Sequence, residues 1–243
     1  MNEVRGGYNT YGFSVGIMML RTRFPRIPGD LGNGTTFNFP VRLKVVEEAV
    51  YHRVVRADKA LLSPFVEAAK ELEAEGVRVI TTNCGFLAIF QKELVAAVSV
   101  PVFTSSLLLV PLVHRMLHPN QKVGIMTVSG EDLGEKQFNG CGWSSEDIPV
   151  VIAGMEGGKL FTSVFRDDLL SMNVGQMQRD MVAVATRLVS EHPDVGAIVL
   201  ECTNMAPYAH AVQAAVGLPV FDIQALIRTV YSSLHQRRYL GHQ

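Results

Sequence analysis

The sequence predicts an α/β protein with two pseudo-symmetric domains, each a parallel β-sheet flanked by helices, and an active site in the cleft between them. Three observations predict this: short apolar runs that alternate with helical stretches, an internal repeat, and a cysteine at the same place in both copies of the repeat. Continuous apolar runs are typical of strands buried on both faces, and their alternation with helices indicates βαβ units.

The apolar runs define the main strands, and the stretches between them define the helices. The strands are predicted at FSVGIMML, VRVIT, KVGIMTV and GAIVL, which begin at Phe13, Val77, Lys122 and Gly196. Helices are predicted near residues 59–76, 86–98, 105–118, 176–192, 205–216 and 222–236. Pro101 and Pro219 each open a further short strand, at the position where a missing N–H costs least. Residues 23–40, rich in Gly, Pro and Asn, form the longest predicted loop, and long loops within compact domains are more often functional than idle.

Residues 77–103 and 195–221 are two copies of one segment at a constant offset of 118 residues. Without any gap, ten of the 27 positions are identical, among them the cysteines Cys84 and Cys202 and the closing PVF. Self-similarity of this kind predicts two structurally related halves.

The composition of the chain excludes several classes of function. Its 243 residues include 22 Lys and Arg against 23 Asp and Glu, a net charge of −1, which gives no electrostatic case for binding nucleic acid or an acidic membrane. No apolar run approaches the roughly 18 residues of a spanning helix, and the polar N-terminus lacks a signal-peptide pattern. Three cysteines without a C-x-x-C pair predict free thiols. We therefore expect a cytoplasmic protein that binds neither nucleic acid nor a membrane.

Cys84 and Cys202 follow the two equivalent strands of the repeat. Ligands of parallel α/β sheets bind at the carboxyl ends of the strands, and the free N–H groups of a helix that starts there favour a thiolate or hold a carboxylate. One thiol on each side of a flat carbanion could remove an α-proton and return one. This chemistry needs no metal or cofactor, and because the sequence has no nucleotide, phosphate or zinc motif we expect none. Cys141 has no partner in the repeat and is interpreted as structural or incidental.

The N-C-G at 83–85, the E-C-T-N at 201–204 and the repeated strand–Cys–helix–PVF unit resemble the aspartate/glutamate racemase superfamily over nearly the whole chain. This superfamily includes aspartate, glutamate and hydantoin racemases, maleate isomerases, arylmalonate decarboxylases and a dimethylsulfoniopropionate lyase branch. The resemblance implies a cofactor-independent homodimeric enzyme whose catalytic Cys84 and Cys202 face each other across a cleft. It also implies a first domain of residues 1–104 plus 224–243 and a second domain of residues 105–223.

The resemblance further implies a set of positions that bind a substrate carboxylate. They follow the two cysteines and the strand KVGIMTV, and they are Gly85, Phe86, Thr203, Asn204, Ser129 and Gly130. Asn83 either caps the following helix or contacts the ligand. The chain departs from the amino-acid racemases, which have C-N-T after the first cysteine and C-T-E at the second, whereas it has C-G-F and C-T-N.

The loop after the first strand adds two further candidates for substrate binding, Arg21 and Asp30. Arg21, Arg23 and Arg26 lie at or near the start of the loop, and one of them could clamp a distal carboxylate, although for each alone a solvated cation is the favoured interpretation. Asp30 lies in a Pro-Gly-Asp turn, where Asp is common for conformational reasons alone. The same turn resembles the lyase-like branches of the superfamily.

The predicted function is racemisation or epimerisation of a small carboxylate, an amino acid or a derivative, by two-cysteine acid/base proton transfer. One alternative is a lyase or isomerase on the same scaffold, either a C–S lyase of the dimethylsulfoniopropionate-lyase type or a maleate isomerase. Removal of an α-proton is common to racemisation and elimination, and the outcome depends on the leaving group. A second alternative is a non-catalytic ligand-binding or redox module.

Overall fold

A computed structural model describes residues 3–4, 6–156 and 159–238. Its first half alternates strands and helices as the apolar runs predict. The elements of this half are β1 (Val15–Leu20), β2 (Val41–Val46), α1 (Tyr51–Val55), α2 (Leu62–Ala74), β3 (Val79–Thr82), α3 (Gln91–Ala97) and β4 (Val102–Phe103).

The second half repeats this plan and ends with an additional helix. Its elements are α4 (Val110–Met116), β5 (Lys122–Thr127), α5 (Glu135–Gly140), β6 (Val150–Gly154), α6 (Lys159–Arg166), α7 (Val174–Glu191), β7 (Val195–Leu200), α8 (Ala209–Val216), β8 (Val220–Phe221) and α9 (Ile223–Leu234). No helix within the described ranges is long and apolar enough to cross a membrane.

The two halves contain equivalent four-stranded parallel sheets, with strand orders β2-β1-β3-β4 and β6-β5-β7-β8. The strands β3 and β7 each carry a copy of the repeat and lie beside the central strands β1 and β5. All residues of β1, β3 and β7 are buried, which explains their continuous apolar runs. The predicted fold class is therefore confirmed, including the relationship between the halves.

The hydrophobic core holds the two sheets together. One large cluster of buried side chains includes residues of both halves, such as Met18 of β1 and Met126 of β5. A smaller cluster joins Ile17 of β1 to Ile223 and Ile227 of α9, so the last helix packs against the first sheet. The division of the chain at residues 104 and 224 stays a prediction.

The sequence analysis missed two strands and three helices. The strands β2 and β6 lie at the sheet edges and are only partly buried. In β2, Arg42 and Lys44 interrupt the apolar pattern, whereas β6 is an apolar run, VVIAG, that was not assigned to a strand. The helices α1, α5 and α6 have only five to eight residues. In addition, the segment after each cysteine starts as a 3₁₀ turn, Gly85–Phe90 and Thr203–Tyr208, and becomes α-helical only afterwards.

Candidate active site

A cavity lies where the carboxyl ends of the central strands of both sheets meet. Both halves contribute to it: Leu20 ends β1, Val128 follows β5, and Cys84 and Cys202 lie just beyond the ends of β3 and β7. The lining consists of Leu20, Thr22, Phe24, Tyr51, Val55, Asn83, Cys84, Gly85, Phe86, Val128, Phe165, Glu201, Cys202 and Asn204. Six of these residues, including both cysteines, were candidates from the sequence.

Cys84 and Cys202 take equivalent places in the two halves. Each has an extended backbone and is the cap residue of the 3₁₀ turn that follows it. The Leu87 N–H donates to the backbone carbonyl of Cys84 at 3.1 Å, and the equivalent Met205 N–H donates to that of Cys202 at 3.0 Å. Both thiols are free. The repeat in the sequence has thus brought two cysteines to one cavity.

Burial opposes ionisation of both thiols. It raises the pKa of Cys84 to about 12, with a further contribution from the Glu201 carboxyl, and the N–H groups of Phe86 and Leu87 act in the opposite direction. Burial also raises the pKa of Cys202, to which Glu201, Cys84 and Asp30 add. The sequence analysis predicted that N–H groups at a helix start would favour a thiolate. These groups are present, but burial has the larger effect on the pKa of each thiol.

Asn83 and Thr203 form a bond between the halves. The Thr203 hydroxyl donates to the backbone carbonyl of Asn83, and Asn83 Oδ1 accepts from the backbone N–H of Leu20 at 2.7 Å. Asn83 lines the cavity, whereas Thr203 does not. The Thr203 side chain therefore joins the two cysteine-bearing turns, and the Asn83 side chain joins its own turn to the end of β1.

Asp30 lies outside the cavity lining and forms a hydrogen bond with Asn204. Its Oδ2 accepts from Asn204 Nδ2 at 2.8 Å, and its Oδ1 accepts from Arg26 Nη1 at 2.6 Å. Asn204 Oδ1 in turn accepts from the thiol of Cys202 at 3.7 Å. A continuous chain of hydrogen bonds therefore connects the predicted loop 23–40 to the second cysteine.

The cavity lining does not include Thr203, Asp30 or the remaining three candidates. Ser129 donates to Asp132 Oδ2 at 2.6 Å, and the N–H of Gly130 donates to the carboxylate of Glu156. The exposed side chain of Arg21 forms an ion pair with Glu47 at 3.5 Å. Any contact of these five residues with a substrate stays a prediction.

Glu201 is the main residue that the sequence analysis missed. It is fully buried, lines the cavity and accepts from the Thr127 hydroxyl at 2.8 Å through Oε2. Burial raises its pKa to about 7. Its position directly before Cys202, within the E-C-T-N motif, was a signal that could have identified it, because a carboxyl at the end of an apolar strand has to be buried.

The walls of the cavity are largely aromatic. Phe24 and Phe165 pack edge to face, with ring centroids 4.8 Å apart, and Tyr51 and Phe86 contribute two further rings. Of these residues only Phe86 was a candidate. Tyr51 and Phe165 lie in α1 and α6, two of the three short helices that were not predicted, so this part of the wall could not be derived from the sequence.

Comparison with known proteins gives matches over most of the chain. The sequence model of the family described as Asp/Glu/Hydantoin racemase matches residues 57–229. The chain is 32% identical over 218 residues to a dimethylsulfoniopropionate lyase of Durusdinium sp. clade D, a match that covers 86% of this chain and 71% of that protein. It is 30% identical to dimethylsulfoniopropionate lyase 7 of Emiliania huxleyi, covering 86% of this chain and 63% of the relative. The chain thus spans about two thirds of the length of these relatives.

Solved structures show the same fold at low sequence identity. Picrophilus torridus aspartate racemase superposes with a TM-score of 0.59 at 19% identity, covering 94% of this chain and 96% of that one. Glutamate racemase from Francisella tularensis, in complex with D-glutamate, gives a TM-score of 0.55 at 16% identity and covers 92% and 81%. Unliganded arylmalonate decarboxylase gives 0.59 at 15% identity and covers 93% and 96%. Taken with the family match, these findings show that the chain belongs to the Asp/Glu/hydantoin racemase family.

Proposed function

We propose that this protein is a lyase that removes the α-proton of a small carboxylate and expels a substituent from the β-carbon, with dimethylsulfoniopropionate as the first substrate to test. The observation that carries the proposal is that Cys84 and Cys202, from equivalent places in the two halves, line one cavity. The relatives that are 30–32% identical to the chain are named dimethylsulfoniopropionate lyases, which favours elimination over the racemisation predicted from the sequence.

Cys84 is the proposed base. The backbone N–H groups of Phe86 and Leu87 favour its ionised form, against only that of Asn204 at Cys202, and fewer negative groups oppose it. In the proposed step, the Cys84 thiolate takes the α-proton, the C–H electron pair forms the double bond, and the β-carbon–sulfur bond breaks with its electrons on sulfur. The products are acrylate, dimethyl sulfide and the Cys84 thiol, which loses its proton to water before the next turnover.

Cys202 is proposed to remain a thiol and to act as a hydrogen-bond donor. The Cys202 thiol donates to Asn204 Oδ1 at 3.7 Å, and Asn204 Nδ2 donates to Asp30. Near a substrate it could donate instead to the carboxylate oxygen on which negative charge develops as the α-proton leaves. Such a donor stabilises the transition state more than the ground state.

A second candidate function is racemisation. The pairing of two thiols favours it, because a thiol on the opposite face could return a proton to the carbanion. In a substrate without a β-leaving group, removal of the α-proton followed by return of a proton from the opposite thiol would therefore invert the α-carbon. The substrate decides between these outcomes.

The test is proton NMR in deuterated water, with dimethylsulfoniopropionate in one sample and enantiopure amino acids and hydantoins in others. The proposal predicts acrylate alkene signals in the first sample and unchanged α-proton signals in the others. Loss of an α-proton signal without a new product would support racemisation instead. No change in any sample would contradict both functions for these substrates.

A further inference from the structure

We infer that Glu201 is the binding residue for a cationic group of the substrate, so that the cavity takes small zwitterions in which an alkylated onium group accompanies the carboxylate. This inference rests on the proposed function for the reaction, but it concerns binding and can be tested without turnover. Four features of the described residues carry it.

The first feature is a buried carboxyl oxygen that lacks a hydrogen-bond donor. Glu201 is fully buried, and its Oε2 accepts from Thr127 at 2.8 Å, whereas Oε1 is buried without a hydrogen-bond partner among the described residues. Buried polar atoms in folded proteins are nearly always paired, and an exception requires an explanation. A bound ligand that completes the pairing is such an explanation.

The second feature is the space that Gly85 leaves for the carboxyl. A β-carbon at position 85 would overlap Glu201 Oε1 and the backbone carbonyl of Glu201. Gly85 also lines the cavity, directly after Cys84. The absence of a side chain at this position therefore keeps the unpaired oxygen next to the proposed reaction site.

The third feature is the lack of a counter-charge. The titratable groups whose pKa values respond to Glu201 are Cys84, Cys141, Cys202 and Tyr51, none of which becomes cationic. No Lys or Arg is among the described side chains that line the cavity. The three arginines near the first loop are already paired with carboxylates, and these pairs are Arg21–Glu47, Arg23–Asp168 and Arg26–Asp30.

An ionised Glu201 thus lacks a cation that the described cavity could provide. A buried carboxylate is costly unless it is paired, which agrees with the raised pKa of Glu201, about 7. A cationic ligand would provide the missing partner. It would also lower the pKa values of the nearby thiols and so favour the Cys84 thiolate.

The fourth feature is the aromatic wall, which selects an alkylated onium over a primary ammonium. Tyr51, Phe86 and Phe165 line the cavity, and aromatic faces attract quaternary and sulfonium cations. A primary ammonium requires up to three acceptors. Two polar side chains of the lining are already used as acceptors, since Asn83 Oδ1 accepts from Leu20 and the Thr22 hydroxyl from Arg26. An onium group needs only apolar contacts and one anion.

The test compares two unreactive ligands of nearly the same shape, trimethylammonioacetate and 3,3-dimethylbutanoate, which differ in the charge of the branched end. Isothermal titration calorimetry at pH 8 should show that the wild-type protein binds the onium ligand at least about tenfold more tightly, roughly the strength of one such contact. In Glu201→Gln this preference should fall at least about fivefold, because only the attraction of the aromatic rings remains, while Cys141→Ser should keep it. Equal binding by the wild type, or an undiminished preference in Glu201→Gln, would overturn the inference.

A second measurement needs no variant and therefore does not depend on whether Glu201→Gln folds. Because a bound cation favours the ionised carboxyl, onium binding at pH 6.5 should release protons to the buffer, and its affinity should increase from pH 6 to pH 8. Binding without proton release would contradict the inference. An onium preference without acrylate formation from dimethylsulfoniopropionate would preserve the inference and contradict the proposed function.

Discussion

Gly85, which follows the first cysteine, packs so closely against Glu201, which precedes the second, that no β-carbon fits between them. The contact between Thr203 and the carbonyl of Asn83 is its counterpart in the pseudo-symmetric arrangement, because residues 201 and 203 correspond to 83 and 85 in the repeat. The two turns that carry the cysteines are thus bound to each other on both sides of the cavity. The position of each thiol depends on the opposite half of the chain.

Gly85→Ala should reduce both stability and activity. The new methyl group would displace the Glu201 carboxyl and backbone, and overpacking of this kind costs about 1–3 kcal/mol. A displacement of about 1 Å at a reacting group can lower kcat/KM about 100-fold. Urea unfolding and an acrylate assay measure the two effects. Gly34→Ala is the matched control, because its β-carbon would meet nothing within 4 Å; equal behaviour of the two variants would contradict the described contact.

Asp30→Ala should destabilise the protein by about 3 kcal/mol or more, because it leaves the largely buried guanidinium of Arg26 without its partner. The same change releases Asn204, the acceptor for the Cys202 thiol, so turnover should also decrease. Denaturant unfolding provides the comparison with Asp194→Ala, which breaks the exposed pair with Lys122 and should cost much less. Similar losses in the two variants would contradict the structural role of Asp30.

The pH dependence of stability should reveal the raised pKa of the buried Glu201 carboxyl. Its pKa in the folded protein, about 7, lies above the ordinary value of 4.5, so the folded state retains a proton that the unfolded state has lost. This stabilisation is complete below pH 4.5 and is lost as the pH rises through 7, a change of about 3 kcal/mol. Between pH 5 and pH 8 the free energy of unfolding should therefore decrease more in the wild type than in Glu201→Gln. Parallel curves would show that Glu201 is ionised throughout this range.

The pH dependence of activity should follow the thiolate of Cys84. Because burial raises the pKa of Cys84 to about 12 in the free protein, the base form increases with pH throughout the neutral range. The kcat/KM for acrylate formation, which reports on the free enzyme, should rise about tenfold per pH unit from about pH 7.5 to pH 9, where Glu201 is already ionised, and more steeply below pH 7. A maximum near neutral pH would contradict the assignment of a buried thiol as the base.

The sequence alone was sufficient for the fold and for the centre of the candidate site. Both depend on local patterns: buried parallel strands are continuously apolar, and the repeat places Cys84 and Cys202 at equivalent strand ends. The remaining lining depends on contacts between distant segments. Tyr51 and Phe165 come from helices of five and eight residues, which are too short to be recognised in the sequence, and the ion pairs that hold Arg21 and Arg26 outside the lining exist only in the folded chain.

The central claim is that Cys84 and Cys202 act together in one cavity on the α-proton of the substrate. The most direct measurement is the rate of acrylate formation from dimethylsulfoniopropionate by Cys84→Ser, Cys202→Ser and the control Cys141→Ser, with folding checked by circular dichroism. We expect losses of about 10²- to 10⁴-fold for the first two variants, the usual contribution of a general acid or base, and wild-type rates for the third. Full turnover by Cys84→Ser or Cys202→Ser would contradict the claim.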